Sequence, residues 1–100
     1  MADHARFFDI RRTGDPTRRG DAWQVPLSGA TPSTWQLFFR DATVTTARRI
    51  VSIRRGKTAD YVMFNADESE LPNWIDTIDE CIRLANASYR GWLEQLERER

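Results

Sequence analysis

One unbroken helical periodicity occupies the last third of this chain of 100 residues. Apolar residues recur in alternating steps of four and three, the spacing of a helix that packs along one face. Acidic residues and Pro72 stand where the first turn of such a helix favours negative charge and tolerates a missing amide hydrogen. The sequence therefore predicts a helix over about residues 70–97. Its apolar positions are Leu71, Ile75, Ile78, Ile82, Ala85, Tyr89, Trp92 and Leu96.

The length of this helix suggests an interface. The 26 residues from Leu71 to Leu96 span about 39 Å, whereas a compact domain of this size is about 30 Å across. An overhanging end would expose aromatic side chains on a monomer, and uncovered aromatic patches mark protein contacts. The alternative is a break between residues 86 and 91 that folds a short terminal helix back onto the sheet. The predicted interface consists of Tyr89, Trp92, Leu93 and Leu96.

The remainder of the chain has strand patterns. Residues 6–12 alternate, with Phe8 and Ile10 on one face, and predict a first strand, while residues 13–21 are rich in turn formers and predict an exposed loop. Trp23, Val25 and Leu27 share one face of a second strand, and Pro26 on the other face favours an edge position. Residues 49–55 and 59–65 predict a β-hairpin around a polar turn.

The segment over residues 32–41 has two interpretations. Trp35, Leu37 and Phe39 alternate as in a strand, but the Thr31-Pro32 pair is typical of a helix start, which favours a helix. The predicted fold is then a single α+β domain over residues 1–100: a four-stranded antiparallel sheet in ββαββα order, with two helices on one face and a long C-terminal helix. A strand over residues 32–41 would instead give a five-stranded sheet or partial barrel closed by one helix, comparable in topology alone with small single-stranded nucleic-acid binders.

Few residues offer catalytic or metal-binding chemistry. The only histidine is His4, and Cys81 falls on the apolar side of the long helix, so neither a His-based nucleophilic site nor a usual zinc site can be assembled. Gly56-Lys57-Thr58 resembles the end of a phosphate-binding loop, but Val51 stands where the earlier glycine belongs. We expect no enzyme activity, no cofactor and no metal.

Charge is distributed unevenly along the chain. Residues 1–58 hold eleven basic and five acidic side chains, a net charge of +6, and residues 59–100 hold four and ten, a net charge of −6. A basic sheet surface suits a polyanion, although adjacent arginines in a strand point to opposite faces and each pair contributes one to either side. The alternative is a solvated surface balanced by the acidic helix. The candidate polyanion-binding residues are Arg11, Arg12, Arg48, Arg49, Arg54 and Arg55.

These features define two functional hypotheses. The leading one is a non-enzymatic interaction protein, a homodimer or an accessory, inhibitor or immunity-type subunit, that uses the C-terminal helix. The alternative is binding of single-stranded nucleic acid or another polyanion.

No apolar stretch approaches the roughly 20 residues that cross a bilayer, and Met1-Ala2-Asp3-His4 begins no apolar signal segment. Together with a single cysteine, this predicts a cytoplasmic protein without a membrane partner.

Overall fold

Two helices pack with one face of a four-stranded antiparallel sheet in the computed structural model, which describes residues 7–47 and 51–99. The elements are β1 Thr17–Arg19, β2 Ala22–Pro26, α1 Ser33–Ala47, β3 Ser52–Arg54, β4 Tyr61–Phe64 and α2 Leu71–Arg98. The strand order across the sheet is β1-β2-β4-β3, and the element order is ββαββα, so the predicted fold class is confirmed. Among the described residues, neither helix is long and apolar enough to cross a membrane.

Helix α2 is one continuous rod. It begins after a 3-10 turn over Glu68–Glu70, where the amide of Asp67 donates to Oε1 of Glu70, and it continues through Gly91 without a break. Its 28 residues correspond to about 42 Å, and the longest dimension of the molecule is 48 Å. The predicted helix over about residues 70–97 is confirmed, the alternative of a break between residues 86 and 91 is wrong, and the molecule is longer than the assumed 30 Å.

The first strand lies in a different place from the predicted one. Residues 7–11 form no strand, and Arg12 makes only an isolated bridge to Leu27. Strand β1 falls within the stretch that the turn formers marked as a loop, and it pairs with residues 22–24 of β2. The cause is a tight turn after Arg19, in which Gly20 has a φ of +64°, a backbone conformation that glycine adopts without the steric cost of a side chain.

Strand β2 lies inside the sheet, between β1 and β4, so the predicted edge position is wrong. Pro26 is tolerated there because β1 pairs only as far as Gln24. Beyond that point the carbonyl of Pro26 accepts a hydrogen bond from the amide of Thr13. A proline has no main-chain N–H to donate. At this position no residue of β1 is paired with β2, so no ladder hydrogen bond is lost.

The second half of the sheet follows the prediction. Strands β3 and β4 form the predicted antiparallel hairpin, with Ile53 opposite Val62. A side chain at Gly56 would collide with the carbonyl oxygen of Ala59, so this turn requires glycine. Residues 49 and 50 of the predicted hairpin lie outside the described residues.

The segment with two interpretations is a helix, as the capping argument favoured, and it extends beyond the predicted residue 41 to Ala47. The hydrogen bonds at the start of α1 differ from those of a helix capped by the side chain of Thr31. The amide of Gln36 donates to the carbonyl of Pro32, while the hydroxyl of Thr31 donates to the carboxylate of Asp60. Trp35 and Phe39 of α1 are fully buried and stack at 5.4 Å in one core with the inner faces of the sheet and of α2.

Candidate interaction surface

The predicted interface on α2 is largely covered by the chain itself. Tyr89 and Leu93 are only 9% and 7% exposed, and the rings of Tyr89 and Phe7 meet edge to face at 4.6 Å. Trp92 is half-buried against Tyr89, at 5.5 Å between ring centroids, and Leu96 is half-buried. The expectation that these side chains are exposed on a monomer is therefore wrong for Tyr89 and Leu93, and only Trp92 and Leu96 keep appreciable exposed surface.

Residues 7–12 contact this part of α2, with Phe7 packed on Tyr89, and we call them the N-terminal strap. The side chain of Asn86 bonds to the amide and the carbonyl of Ile10 at 3.0 and 2.9 Å, and Arg90 lies 2.6 Å from the carboxylate of Asp9. On α2, the polar contacts of Asn86 and Arg90 with the strap therefore lie on either side of Tyr89. No periodicity in the sequence indicates this pairing, because the strap contacts α2 one residue at a time.

Arg12 fixes the other end of the strap. Its guanidinium donates two hydrogen bonds to the carboxylate of Asp79, at 2.9 and 3.0 Å, and a third to the carbonyl of Gly14. The hydrogen bond to Asp79 raises the pKa of Arg12 above its ordinary value. A bidentate carboxylate partner occupies the donors that a phosphate would need, so Arg12 is poorly suited to the polyanion site predicted for it.

The remaining arginines of that set are distributed unevenly. Arg11, Arg54 and Arg55 are exposed, and Arg54 stands opposite Tyr61 in the ladder between β3 and β4. Arg48 and Arg49 lie outside the described residues. The structure therefore places one arginine of the set opposite a tyrosine across the sheet ladder.

An apolar groove lies between α1 and β3. It encloses about 360 Å³, and Leu37 in its wall is 51% exposed. The groove runs along β3, which is an edge strand of the sheet. Its lining consists of Ser33, Gln36, Leu37, Phe39, Arg40, Val51 and Ile53.

Leu37 is the sequence signal for this groove. The buried positions of α1 are Trp35, Phe39 and Thr43, in steps of four, and Leu37 stands half a turn away from Trp35. A leucine outside the buried stripe of an amphipathic helix leaves apolar surface in contact with water, here in the wall of a groove. Val44, seven residues later on the same side of the helix, is 44% exposed, but it does not line the groove.

The described residues contain no cluster of three His, Cys, Asp or Glu side chains that could hold a metal ion. Cys81 is fully buried, and desolvation raises the pKa of its thiol, so that the reactive thiolate is disfavoured. Comparisons with protein families, with curated proteins and with solved structures give no match.

Proposed function

We propose that this chain is a non-enzymatic protein-interaction module that binds a partner in the groove between α1 and β3. The exposed Leu37 beside the edge strand supports this proposal most directly. Exposed aliphatic surface in a concave site is the usual core of a protein contact, because its burial contributes about 25 cal/mol per Å². The partner is either a second copy of the chain or a different protein.

The proposal moves the main contact away from the C-terminal half of α2. Tyr89 and Leu93 already bury their side chains within the chain, so a partner would gain little further area from them. Trp92 and Leu96 remain available as secondary contacts at the end of the molecule. A homodimer or an accessory subunit built on α2, as the helix length suggested, stays an alternative that the same experiment tests.

Selection from a displayed library of protein fragments tests the proposal. The wild type and three variants, Leu37→Asp, Val44→Asp and Trp92→Ala, are used as baits. Val44→Asp is the matched control, because it places the same charge on the same helix outside the groove. We expect fragments that bind the wild type and the Val44 and Trp92 variants but not the Leu37 variant.

The other outcomes are equally informative. Fragments lost only with Trp92→Ala would assign the interface to α2 and contradict the groove. Light scattering of the wild type and of Leu37→Asp shows whether the partner is a second copy, since a dimer through the groove would dissociate in the variant. No enriched fragment together with a monomeric wild type would overturn the proposal of an interaction module.

A second candidate function rests on the open face of the sheet. Arg54 and Tyr61 are cross-strand neighbours there, and a cation beside a ring suits the phosphate and the base of a single-stranded nucleic acid. Titration of an oligonucleotide at several salt concentrations checks this function, because affinity carried by phosphates falls steeply with ionic strength. Undetectable binding at low salt, or binding unchanged by Arg54→Ala, would exclude it.

We further propose a cytoplasmic location. The single thiol of Cys81, buried and unpaired, fits a reducing compartment. Fractionation of cells that express the tagged chain tests this location, and recovery in a membrane or extracellular fraction would contradict it.

A further inference from the structure

The hydrogen-bond alternation of the sheet determines which groups β3 presents to solvent. The amide of Leu27 donates to the carbonyl of Asp60 at 3.0 Å, so Asp60 directs its main-chain groups towards β2. Main-chain groups of successive residues in an antiparallel strand point to opposite sides, so Tyr61 and Met63 direct theirs towards β3.

Ile53 consequently faces outward. Arg54 and Ser52 stand opposite Tyr61 and Met63 and form the bonded pairs of the hairpin. Ile53 lies between them, so its N–H and C=O point to the open edge of the sheet. Among the described residues, no strand pairs with this edge of β3.

The side chain of Ile53 is on the groove side of the same strand. Its cross-strand partner Val62 is fully buried on the face that packs on the helices, and Ile53 lines the groove together with Leu37. A residue paired with Ile53 would place its own side chain on that face. One position therefore offers two main-chain hydrogen bonds and an apolar site for the opposing side chain.

Charge around the edge selects the partner. Arg40 lines the groove, and Arg54 and Arg55 are exposed at the end of β3, followed by the exposed Lys57. Residues 48–58 contain five basic and no acidic side chains. A second copy that paired through its own β3 would bring two such segments together, and like charges in one ladder are destabilising. An acidic partner is complementary.

We propose that the partner segment is an extended acidic peptide that adds to the open edge of β3 as a fifth, antiparallel strand, with an aliphatic side chain opposite Ile53 in the groove. Its neighbouring residues point to the other face of the sheet, where a carboxylate reaches Arg54. Main-chain bonds provide affinity, and the groove and the arginine provide selectivity. This inference rests on the proposed function and adds to it the chemistry of the partner.

An alternating peptide of valine and glutamate tests the inference, with fluorescence anisotropy as the readout. The valines fit the groove side and the glutamates fit the Arg54 side. Methylation of the valine amides removes the donors that face Ile53, whereas methylation of the glutamate amides alters only donors that face solvent. We expect the first methylated peptide to lose binding and the second to retain it.

Variants of the protein supply the second arm of the test. Arg54→Glu should lower the affinity for the acidic peptide at least tenfold, and Leu37→Asp should abolish binding, while Val44→Asp leaves it unchanged. Hydrogen exchange at the Ile53 amide should slow on binding, because that amide becomes bonded only in the complex. The Arg54 amide should change little, since it already bonds within the hairpin.

Four results would overturn the inference. Equal binding of the two methylated peptides would exclude strand addition, and equal binding of a peptide with lysine in place of glutamate would exclude charge selection. Binding of an oligonucleotide but not of the acidic peptide would assign the basic edge to a polyanion. If displayed fragments depend on Leu37 but are helical or uncharged, the proposed function stands and this inference alone fails.

Discussion

The side chain of Asn86 forms two hydrogen bonds with the main chain of Ile10, 76 positions earlier in the sequence. Its carbonyl oxygen also accepts from Nε1 of Trp35 at 2.9 Å. One side chain on α2 therefore holds the N-terminal strap and α1 together. All three groups are buried, so each depends on this amide in place of water.

Replacement of Asn86 by leucine should destabilise the fold strongly. The variant leaves the amide of Ile10 and the indole N–H of Trp35 without an acceptor, and a buried unsatisfied donor costs about 1–3 kcal/mol. We expect the free energy of unfolding, measured with denaturant, to fall by about 2–5 kcal/mol. Ser88→Ala, an exposed change two residues away, is the control and should stay within about 0.5 kcal/mol of wild type. Equal losses in the two variants would contradict this role of Asn86.

The aromatic contact between the strap and α2 should contribute to folding and not to assembly. Tyr89→Ala removes a buried ring, which typically costs about 3–5 kcal/mol, and half-buried Trp92→Ala should cost less. A double-mutant cycle of Tyr89 with Phe7 should give a coupling of about 0.5–1.5 kcal/mol.

Protein concentration distinguishes the two origins of this stability. A contact within one chain gives an unfolding midpoint that does not change with concentration, whereas a contact between copies gives a midpoint that rises with it. We expect the midpoint of the wild type to be constant over a hundredfold dilution when read by tryptophan fluorescence. A rising midpoint that Trp92→Ala removes would return the interface to α2.

Local patterns predicted those elements whose partners are close in sequence or whose periodicity is long. The seam from Leu71 to Leu96 predicted α2, and the alternation on both sides of Gly56 predicted the hairpin of β3 and β4. The N-terminal strap was misassigned for the opposite reason. Phe8 and Ile10 alternate as in a strand, yet Phe8 is 83% exposed while Ile10 is bound by Asn86, a distant residue whose role no local pattern indicates.

The sequence alone does not predict the groove between α1 and β3, because local patterns do not show which apolar residues are already buried by distant parts of the chain. Helix length alone points to Tyr89 and Leu93, yet both are already buried within the chain, and Tyr89 packs on Phe7 in a segment whose alternation predicts a strand. In the sequence, Leu37 forms part of an alternation with Trp35 and Phe39. Once that segment is a helix, Leu37 falls outside the buried stripe, and it becomes the informative position.

The buried carboxylate of Asp60 should stabilise the loop between β2 and α1 through its hydrogen bonds with Thr31. Its carboxylate accepts from the amide and the hydroxyl of Thr31, at 2.8 and 2.7 Å, and the residue is only 2% exposed. Asp60→Ala leaves both donors buried without an acceptor, so the free energy of unfolding should fall by about 2–4 kcal/mol. Asp60→Asn keeps an acceptor and should cost less.

A surface carboxylate provides the comparison for Asp60. Asp41 on α1 is exposed, and Asp41→Ala should leave the free energy of unfolding within about 0.5 kcal/mol of wild type. Thr31→Val, which removes only the hydroxyl, should fall between the two Asp60 variants. If Asp60→Ala were as stable as Asp41→Ala, the loop between β2 and α1 would not depend on this carboxylate.

The thiol of Cys81 should be inert in the folded chain. Burial raises its pKa, and the hydrogen bond with Thr46 offsets only part of this effect. Reaction with a disulfide reagent at pH 8 should therefore be at least a hundredfold slower than in denaturant, because little thiolate forms and the sulfur is fully buried. A reaction as fast as that of the unfolded chain would contradict the burial of Cys81.

The same pKa shift has a consequence for stability at high pH. A folded pKa above the unfolded value means that the contribution of the protonated thiol is complete below about pH 8.5 and is lost as the pH rises through the folded pKa. The free energy of unfolding of the wild type should then decline above about pH 8.5 more steeply than that of Cys81→Ala. The alanine variant is less stable at neutral pH because of its cavity, so the comparison uses the slopes and not the absolute values. Parallel slopes would show that the thiol titrates in the folded state as it does in the unfolded state.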